Sequence, residues 1–111
     1  MGFSKTTSGN GVTVVKVDGQ LIVGNRQELK QLIHEGLEAG ERKFVIDCTH
    51  TGYIDSSGLG ALVTISKKVR ESGGDMRLAG LNDDLRSLFE LTKLDSLFTI
   101  AKSPDEAIKG F

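Results

Sequence analysis

The chain has 111 residues, a net charge of −1, 38% apolar side chains and 26% charged ones, so we expect residues 1–111 to form one domain. Acids and bases are mixed, with no basic run or aromatic-basic cluster, which argues against direct nucleic-acid binding. No stretch is apolar enough to span a bilayer and no signal-peptide core is present, so a cytoplasmic location is expected.

The N-terminal part predicts a β-hairpin. Asn10 and Gly11 both tolerate positive φ and favour a tight turn. This turn would join a strand over residues 3–8 to a β-branched strand over residues 12–17. Gly19 is expected to end or bend the second strand.

A helix and a buried strand follow. Asn25 is expected to cap a helix over residues 26–39. Residues 44–48 form a short apolar run typical of a strand buried on both faces. The only cysteine, Cys48, is interpreted as a small buried apolar residue. Residues 49–54 are expected to form a loop.

Helices and strands alternate through the rest of the chain. They are a helix over 57–72, a strand over 76–79, a helix over 83–93 capped by Asn82, an edge strand over 97–100 and a last helix starting at Ser103–Pro104. The inner face of the helix over 57–72 is predicted to carry Leu59, Leu62, Val63, Ser66 and Val69. The order predicts an α/β fold: a mixed sheet of four to five strands, preceded by the hairpin, with about four helices packed on it.

The segment Asp55–Gly58 places two serines where a loop leads into a helix. Either serine can cap the helix, and for Ser57 capping is the favoured role. A hydroxyl at Ser56 would be exposed at the positive end of the helix dipole. A phosphate there would add roughly −1.5 to −2 charges beside Asp55, producing repulsion under a partner. The segment therefore suits a switch that alters an interface while the fold survives.

No enzymatic constellation is complete. Neither serine lies in a Gly-x-Ser-x-Gly motif, a dinucleotide-binding loop fails because Val63 replaces the third glycine, and no P-loop occurs. His34 and His50 are isolated and lack metal-site spacing. Asp47 and Asp55 flank one loop, but no other convergent group supports an acid–base pair. We therefore expect no catalytic residue, no metal and no cofactor.

The stretch Val45–Asp47 and the block Tyr53–Leu62 resemble the signature of STAS-domain anti-sigma factor antagonists. The resemblance extends over nearly the whole chain. It includes Gly19–Leu21, Leu29, Gly73–Gly74, Leu88–Leu94 and Leu97–Phe98. It implies a STAS-like fold and a binding protein that is not an enzyme.

The resemblance also implies a partner-switching cycle. The unphosphorylated form would bind an anti-sigma factor that is also a serine kinase, releasing a sigma factor. Phosphorylation of Ser56 would end binding, and a serine phosphatase would restore it. The implied partner-binding residues are Gly19, Gln20, Leu21, Asn25, Tyr53, Asp55, Ser56, Ser57, Gly58 and Leu59. Many members carry an acidic residue where Ile22 stands, so the partner-binding face implied here is more apolar.

Two alternatives belong to other classes of function. Similar domains serve as scaffolds or subunits of stress-signalling or lipid-transport complexes, where the serine would be mainly structural. An enzyme acting on a nucleotide or an ester is the third reading, and the incomplete motifs argue against it. The intact Ser56 favours the phosphorylation-switched binding protein.

Overall fold

Six strands form one mixed sheet, and four helices pack on it, in the computed structural model, which describes residues 2–111. The strands are β1 Gly2–Thr7, β2 Thr13–Leu21, β3 Lys43–Asp47, β4 Thr51–Ile54, β5 Asp75–Ala79 and β6 Thr99–Ala101. The helices are α1 Arg26–Glu38, α2 Ser56–Glu71, α3 Asp83–Leu91 and α4 Pro104–Lys109, with a 3₁₀ turn at Leu94–Ser96. The predicted mixed α/β class is confirmed, and the N-terminal hairpin is part of the sheet.

The main sheet runs in the order β1-β2-β3-β5-β6. β1 pairs antiparallel to β2, whereas β2, β3, β5 and β6 are parallel neighbours. The parallel strands bring their carboxyl ends to the same edge of the sheet, where loops before helices collect residues from different parts of the chain.

Gly19 lets β2 change partners. Its φ of 99° lies in the region that favours glycine, and the register with β4 shifts between Gly19 and Gln20. Residues 13–16 pair with β3, whereas residues 19–21 pair with β4. The expectation that Gly19 bends the strand is confirmed.

The expected loop over residues 49–54 contains β4, so that prediction was wrong. β4 has only four residues, and its burial pattern is buried–exposed–exposed–buried, which lacks the strict alternation by which a half-buried strand is predicted from sequence. The buried Thr51 hydroxyl donates to the Val17 carbonyl at 2.8 Å and anchors the strand on β2. This tertiary bond fixes an element that local propensity alone did not indicate.

Two apolar clusters lie on opposite faces of the sheet. Phe44 and Ile46 of β3 point into the larger cluster, which α1, α2 and α3 cover. Val45, between them, points into a smaller cluster that contains Ala107 of α4. The alternation along β3 explains why its three central residues are all apolar, since both faces of the strand are covered there.

Two of the four predicted asparagine and serine caps are confirmed. Asn82 accepts from the Leu85 N–H at 2.8 Å, and Ser103 accepts from the Glu106 N–H at 3.2 Å. Asn25 precedes α1 as predicted, but its side chain makes no cap hydrogen bond, so that capping prediction was wrong. Its amide instead holds the preceding loop.

The start of α2 packs against β2 at Gly58. A Cβ at this position would lie 2.3 Å from the Leu21 carbonyl oxygen and 2.9 Å from Ile54 Cγ2. A Cβ at Gly60, in the same helix, would meet nothing within 4 Å. Only Gly58 is therefore required by a close approach of the helix to the sheet.

We expect Gly58→Ala to lower the free energy of unfolding by about 1–3 kcal/mol, because the methyl group overpacks against backbone. Gly60→Ala should raise it by about 0.5–1 kcal/mol through better helix propensity. Urea denaturation of both variants measures the two values. Equal effects of the two substitutions would contradict the close-approach argument.

Candidate functional site

Three segments meet at the start of α2: the end of β2 with its following loop, the end of β4, and the first turn of the helix. The Asp55 N–H donates to the Leu21 carbonyl at 3.1 Å, which joins two of these segments directly. The predicted partner-binding residues, from Gly19–Asn25 and Tyr53–Leu59, lie along these segments. The fold thus brings together two stretches that are distant in sequence.

The Asp55 carboxylate makes two backbone contacts. Oδ1 accepts from the Gly58 N–H at 2.7 Å and caps α2, and Oδ2 accepts from the Val23 N–H at 3.1 Å. One carboxylate therefore fixes both the start of the helix and the loop after β2. The prediction that Ser57 caps α2 was wrong, because Asp55 occupies the cap and Ser57 is the second helical residue.

Neither serine hydroxyl forms a hydrogen bond that stabilises the fold within the described residues. Ser56 is exposed and Ser57 is half-buried, and neither hydroxyl has a hydrogen-bond partner among residues 2–111. Ser56 is the first residue of α2, where backbone N–H groups lack partners within the helix. The structure therefore places the Ser56 side chain on the surface, at the positive end of the helix dipole.

The loop Ile22–Asn25 is held by its own asparagine. Asn25 Oδ1 accepts from the Ile22 N–H at 2.9 Å, and Asn25 Nδ2 donates to the Gln20 carbonyl at 2.8 Å. Because the oxygen and the nitrogen of its side-chain amide both bond within the loop, Asn25 fixes the shape of that loop. Together with Asp55, it gives the loop a defined conformation beside Ser56.

Two large apolar side chains project from the segments that meet here. Val23 is 63% exposed and Tyr53 is 58% exposed, while Ile22 is half-buried. We call Val23 and Tyr53 the apolar rim. Val23 was not among the partner-binding residues predicted one by one from the sequence, although its position next to Ile22, in a loop expected beside the serines, was a usable signal. Exposed apolar side chains near a candidate interface are typical of partner contact.

Three predicted site residues are buried. Leu21 is 1% exposed and Leu59 is 9% exposed, and Gly58 is also buried. Leu21 contributes its carbonyl oxygen to Asp55, and Gly58 contributes its small size and its N–H. These residues build the frame on which Ser56 and the apolar rim are displayed.

The remaining polar candidates are engaged elsewhere or isolated. Asp47 Oδ1 accepts from the Thr49 N–H at 3.0 Å, so this carboxylate stabilises a turn. His50 is exposed, and His34 lies 3.6 Å from Glu38 on the surface of α1. Residues 2–111 contain no group of three or more potential metal ligands.

Cys48 is buried in the larger apolar cluster. Burial, assisted by the nearby Asp47 carboxylate and opposed by a hydrogen bond with Thr51, raises the pKa of its thiol to about 12. The thiol therefore stays protonated and packs as an apolar group.

In the part of the chain that the structure describes, no helix is long and apolar enough to cross a membrane.

Comparison with known sequences decides the family. The STAS domain sequence model matches residues 5–107. The chain belongs to the STAS domain family. It is 30% identical over 108 residues to BtrV of Bordetella bronchiseptica, named as an anti-sigma factor antagonist, covering 90% of this chain and 93% of BtrV.

Solved STAS structures share the fold. One from Thermotoga maritima, described as an anti-sigma factor antagonist, is 26% identical, with a TM-score of 0.89 over 97% of this chain and 92% of that one. The phosphorylated form of the Bacillus cell fate determinant SpoIIAA is 18% identical, with a TM-score of 0.75 over 96% of each chain. At this level of identity the similarity establishes only that the two chains share a fold.

We expect Asp55→Ala to lower the free energy of unfolding by about 2 kcal/mol, because it removes the cap and the bond to Val23. Asp55→Asn keeps one acceptor oxygen and should cost about half as much. Urea denaturation measures both values, and hydrogen exchange at the Val23 amide should accelerate in Asp55→Ala. The control is Asp18→Asn, an exposed site on β2. A similar loss in that control would contradict the double role of Asp55.

Proposed function

We propose that this STAS protein, with residues 1–111 acting as one domain, is an anti-sigma factor antagonist switched by phosphorylation of Ser56. Its unphosphorylated form would bind an anti-sigma factor that is also a serine kinase, in the cytoplasm, and a serine phosphatase would reverse the modification. The proposal assigns no catalytic residue and no direct contact with nucleic acid. The observation that carries it is the exposed Ser56 at the first position of α2, beside the Asp55 carboxylate.

The location of Ser56 supports a switch of binding without a switch of fold. Its hydroxyl makes no bond within the described residues, so adding a phosphate removes no interaction that holds α2 in place. Unpartnered N–H groups at the helix start partly accommodate a phosphate. The fold can therefore survive modification.

The interface would respond differently. A phosphoserine adds roughly −1.5 to −2 charges at neutral pH, next to a carboxylate that is fixed by its bonds to Gly58 and Val23. Asp55 cannot turn away from the phosphate without losing those bonds. A partner that covers this face would have to desolvate two adjacent negative groups, which weakens binding strongly.

The apolar rim supports a partner surface with apolar character. Val23 donates its N–H to the Asp55 carboxylate, and Tyr53 lies two residues before Asp55 at the end of β4, so both exposed side chains are close to the serine. Ile22 replaces the acid that many family members carry, so this face offers a kinase fewer charges to pair with. The proposed partner-binding residues with accessible side chains are Gln20, Val23, Tyr53, Ser56 and Ser57.

The phosphorylation state of Ser56 tests the proposal directly. We expect the tryptic peptide Phe44–Lys67 from the native cell to carry one phosphate, which fragmentation assigns to Ser56. We expect Ser56→Ala to bind the anti-sigma factor kinase of the same organism without being phosphorylated by it. Ser56→Asp should weaken that binding at least about tenfold, the scale of one like-charge contact in an interface. Isothermal titration calorimetry measures the affinities.

Ser57→Ala is the matched control, and it should keep both binding and phosphorylation. Circular dichroism of Ser56→Asp should match that of the unmodified chain. If Ser56→Asp bound the kinase as tightly as Ser56→Ala, the charge switch would be wrong and a constitutive scaffold role would remain.

The rim gives an independent expectation. Val23→Asp should weaken binding to the same kinase about tenfold, because it places a charge in an apolar contact. The affinity of the unmodified chain should change little between low and high salt, since few exposed ion pairs contribute. Leu91→Asp, at an 83% exposed position at the end of α3, should leave binding unchanged. A steep salt dependence would contradict an apolar rim.

A further inference from the structure

A basic groove lies between α1 and α2, away from the Ser56 face. The two helices pack against each other on the same face of the sheet, and the groove between them has a volume of about 290 Å³. This volume is close to the lower limit of small-molecule sites. Thr64, which lines the groove, follows Ser56 by eight residues of helix, or roughly 12 Å along the axis.

The groove has an apolar floor and a lysine on each wall. Ile33 of α1 and Ile65 of α2 are 2% and 4% exposed and form the floor. Lys30 lies on the α1 wall and Lys68 lies on the α2 wall. We call the surface formed by these four residues the α1–α2 groove. It offers apolar contact between two positive charges that belong to different helices.

The charges of the α1–α2 groove do not cancel. No carboxylate from residues 2–111 lines it, and neither of its lysines forms an ion pair within those residues. Two acids on the surface of α1 already have neighbours of their own. Glu35 accepts from Gln31 at 3.4 Å, and Glu38 lies 3.6 Å from His34. The groove therefore presents two unpaired ammonium groups, which favour an anionic ligand.

We propose that the α1–α2 groove binds a small dicarboxylate with an apolar spacer, such as heptanedioate. One carboxylate would pair with Lys30 and the other with Lys68, while the methylene chain would lie on the two isoleucines. The axes of packed helices are about 8–10 Å apart, so positive groups on facing walls suit a ligand with a negative charge at each end. The site does not depend on the proposed antagonist function.

Titration of the ¹⁵N-labelled chain with sodium heptanedioate, at constant ionic strength, tests the site. We expect saturable amide shifts at Ile33, His34, Ile65 and Lys68, with the amides around Ser56 unchanged. Heptanoate has the same chain but one carboxylate, and it should bind about fivefold more weakly, the scale of one partly exposed ion pair. Absence of saturable shifts at these residues, or equal affinities for the two acids, overturns the proposal.

The length of the ligand tests the role of the isoleucine floor. Malonate carries the same two charges on a single methylene group, and it should bind at least about tenfold more weakly because it buries less apolar surface. Equal affinities for malonate and heptanedioate would show attraction by surface lysines alone and overturn the site. Tighter binding of a ten-residue polyglutamate peptide at the same residues would show that an acidic protein segment fits the groove, and this too would overturn the assignment to a small diacid.

Three lysine variants test the two proposed ion pairs. Lys30→Gln and Lys68→Gln should each weaken heptanedioate binding about fivefold, because each removes one partly exposed ion pair. Lys67→Gln removes the same charge from a neighbouring position that does not line the groove, and it should leave the affinity unchanged. None of the three lysines forms an ion pair in the described part of the chain, so all three variants should keep the melting temperature of the unmodified chain. Equal losses of affinity in all three would show a general charge effect and contradict the assignment.

Discussion

The Asp55 carboxylate organises the surface on which the function depends. Its two oxygens accept from the Gly58 and Val23 N–H groups, and its own N–H reaches the Leu21 carbonyl. Each of these bonds is worth about 1 kcal/mol, so the three together are a sizeable share of a small domain's stability. They also fix geometry, because they join a loop, a strand end and a helix start at one residue. Ser56, which follows Asp55, is held in a defined position although its own hydroxyl forms none of these bonds.

Two glycines allow the end of β2 and the start of α2 to come close together. Gly19 allows β2 to leave β3 and pair with β4, which brings the end of β2 beside the start of α2. Gly58 then allows the first helical turn to approach the Leu21 carbonyl more closely than any side chain would permit. The hydrogen bonds of Asp55 depend on this proximity. The close approach that the glycines allow and the hydrogen bonds that Asp55 forms are therefore two parts of one arrangement.

Local signals predicted most elements, whereas tertiary contacts decided the exceptions. The hairpin, the alternating helices and strands, and the caps at Asn82 and Ser103 follow from composition and spacing. β4 was missed because its anchor is the bond from Thr51 to Val17, thirty-four positions earlier. The roles of Asn25 and Ser57 were misassigned because several residues near each helix start can accept a bond. Only the fold shows that Asp55 lies where its carboxylate reaches two N–H groups.

The separation between framework and signal explains why the Ser56 position suits modification. A serine that caps a helix would lose its bond when phosphorylated, and the cost would fall on stability. Here the cap is a carboxylate, which is already charged and already placed at the favourable end of the dipole. The neighbouring hydroxyl is free to change state. The carboxylate that protects the fold is also the group that repels the new phosphate, so one residue makes the domain tolerant of the modification and its interface sensitive to it.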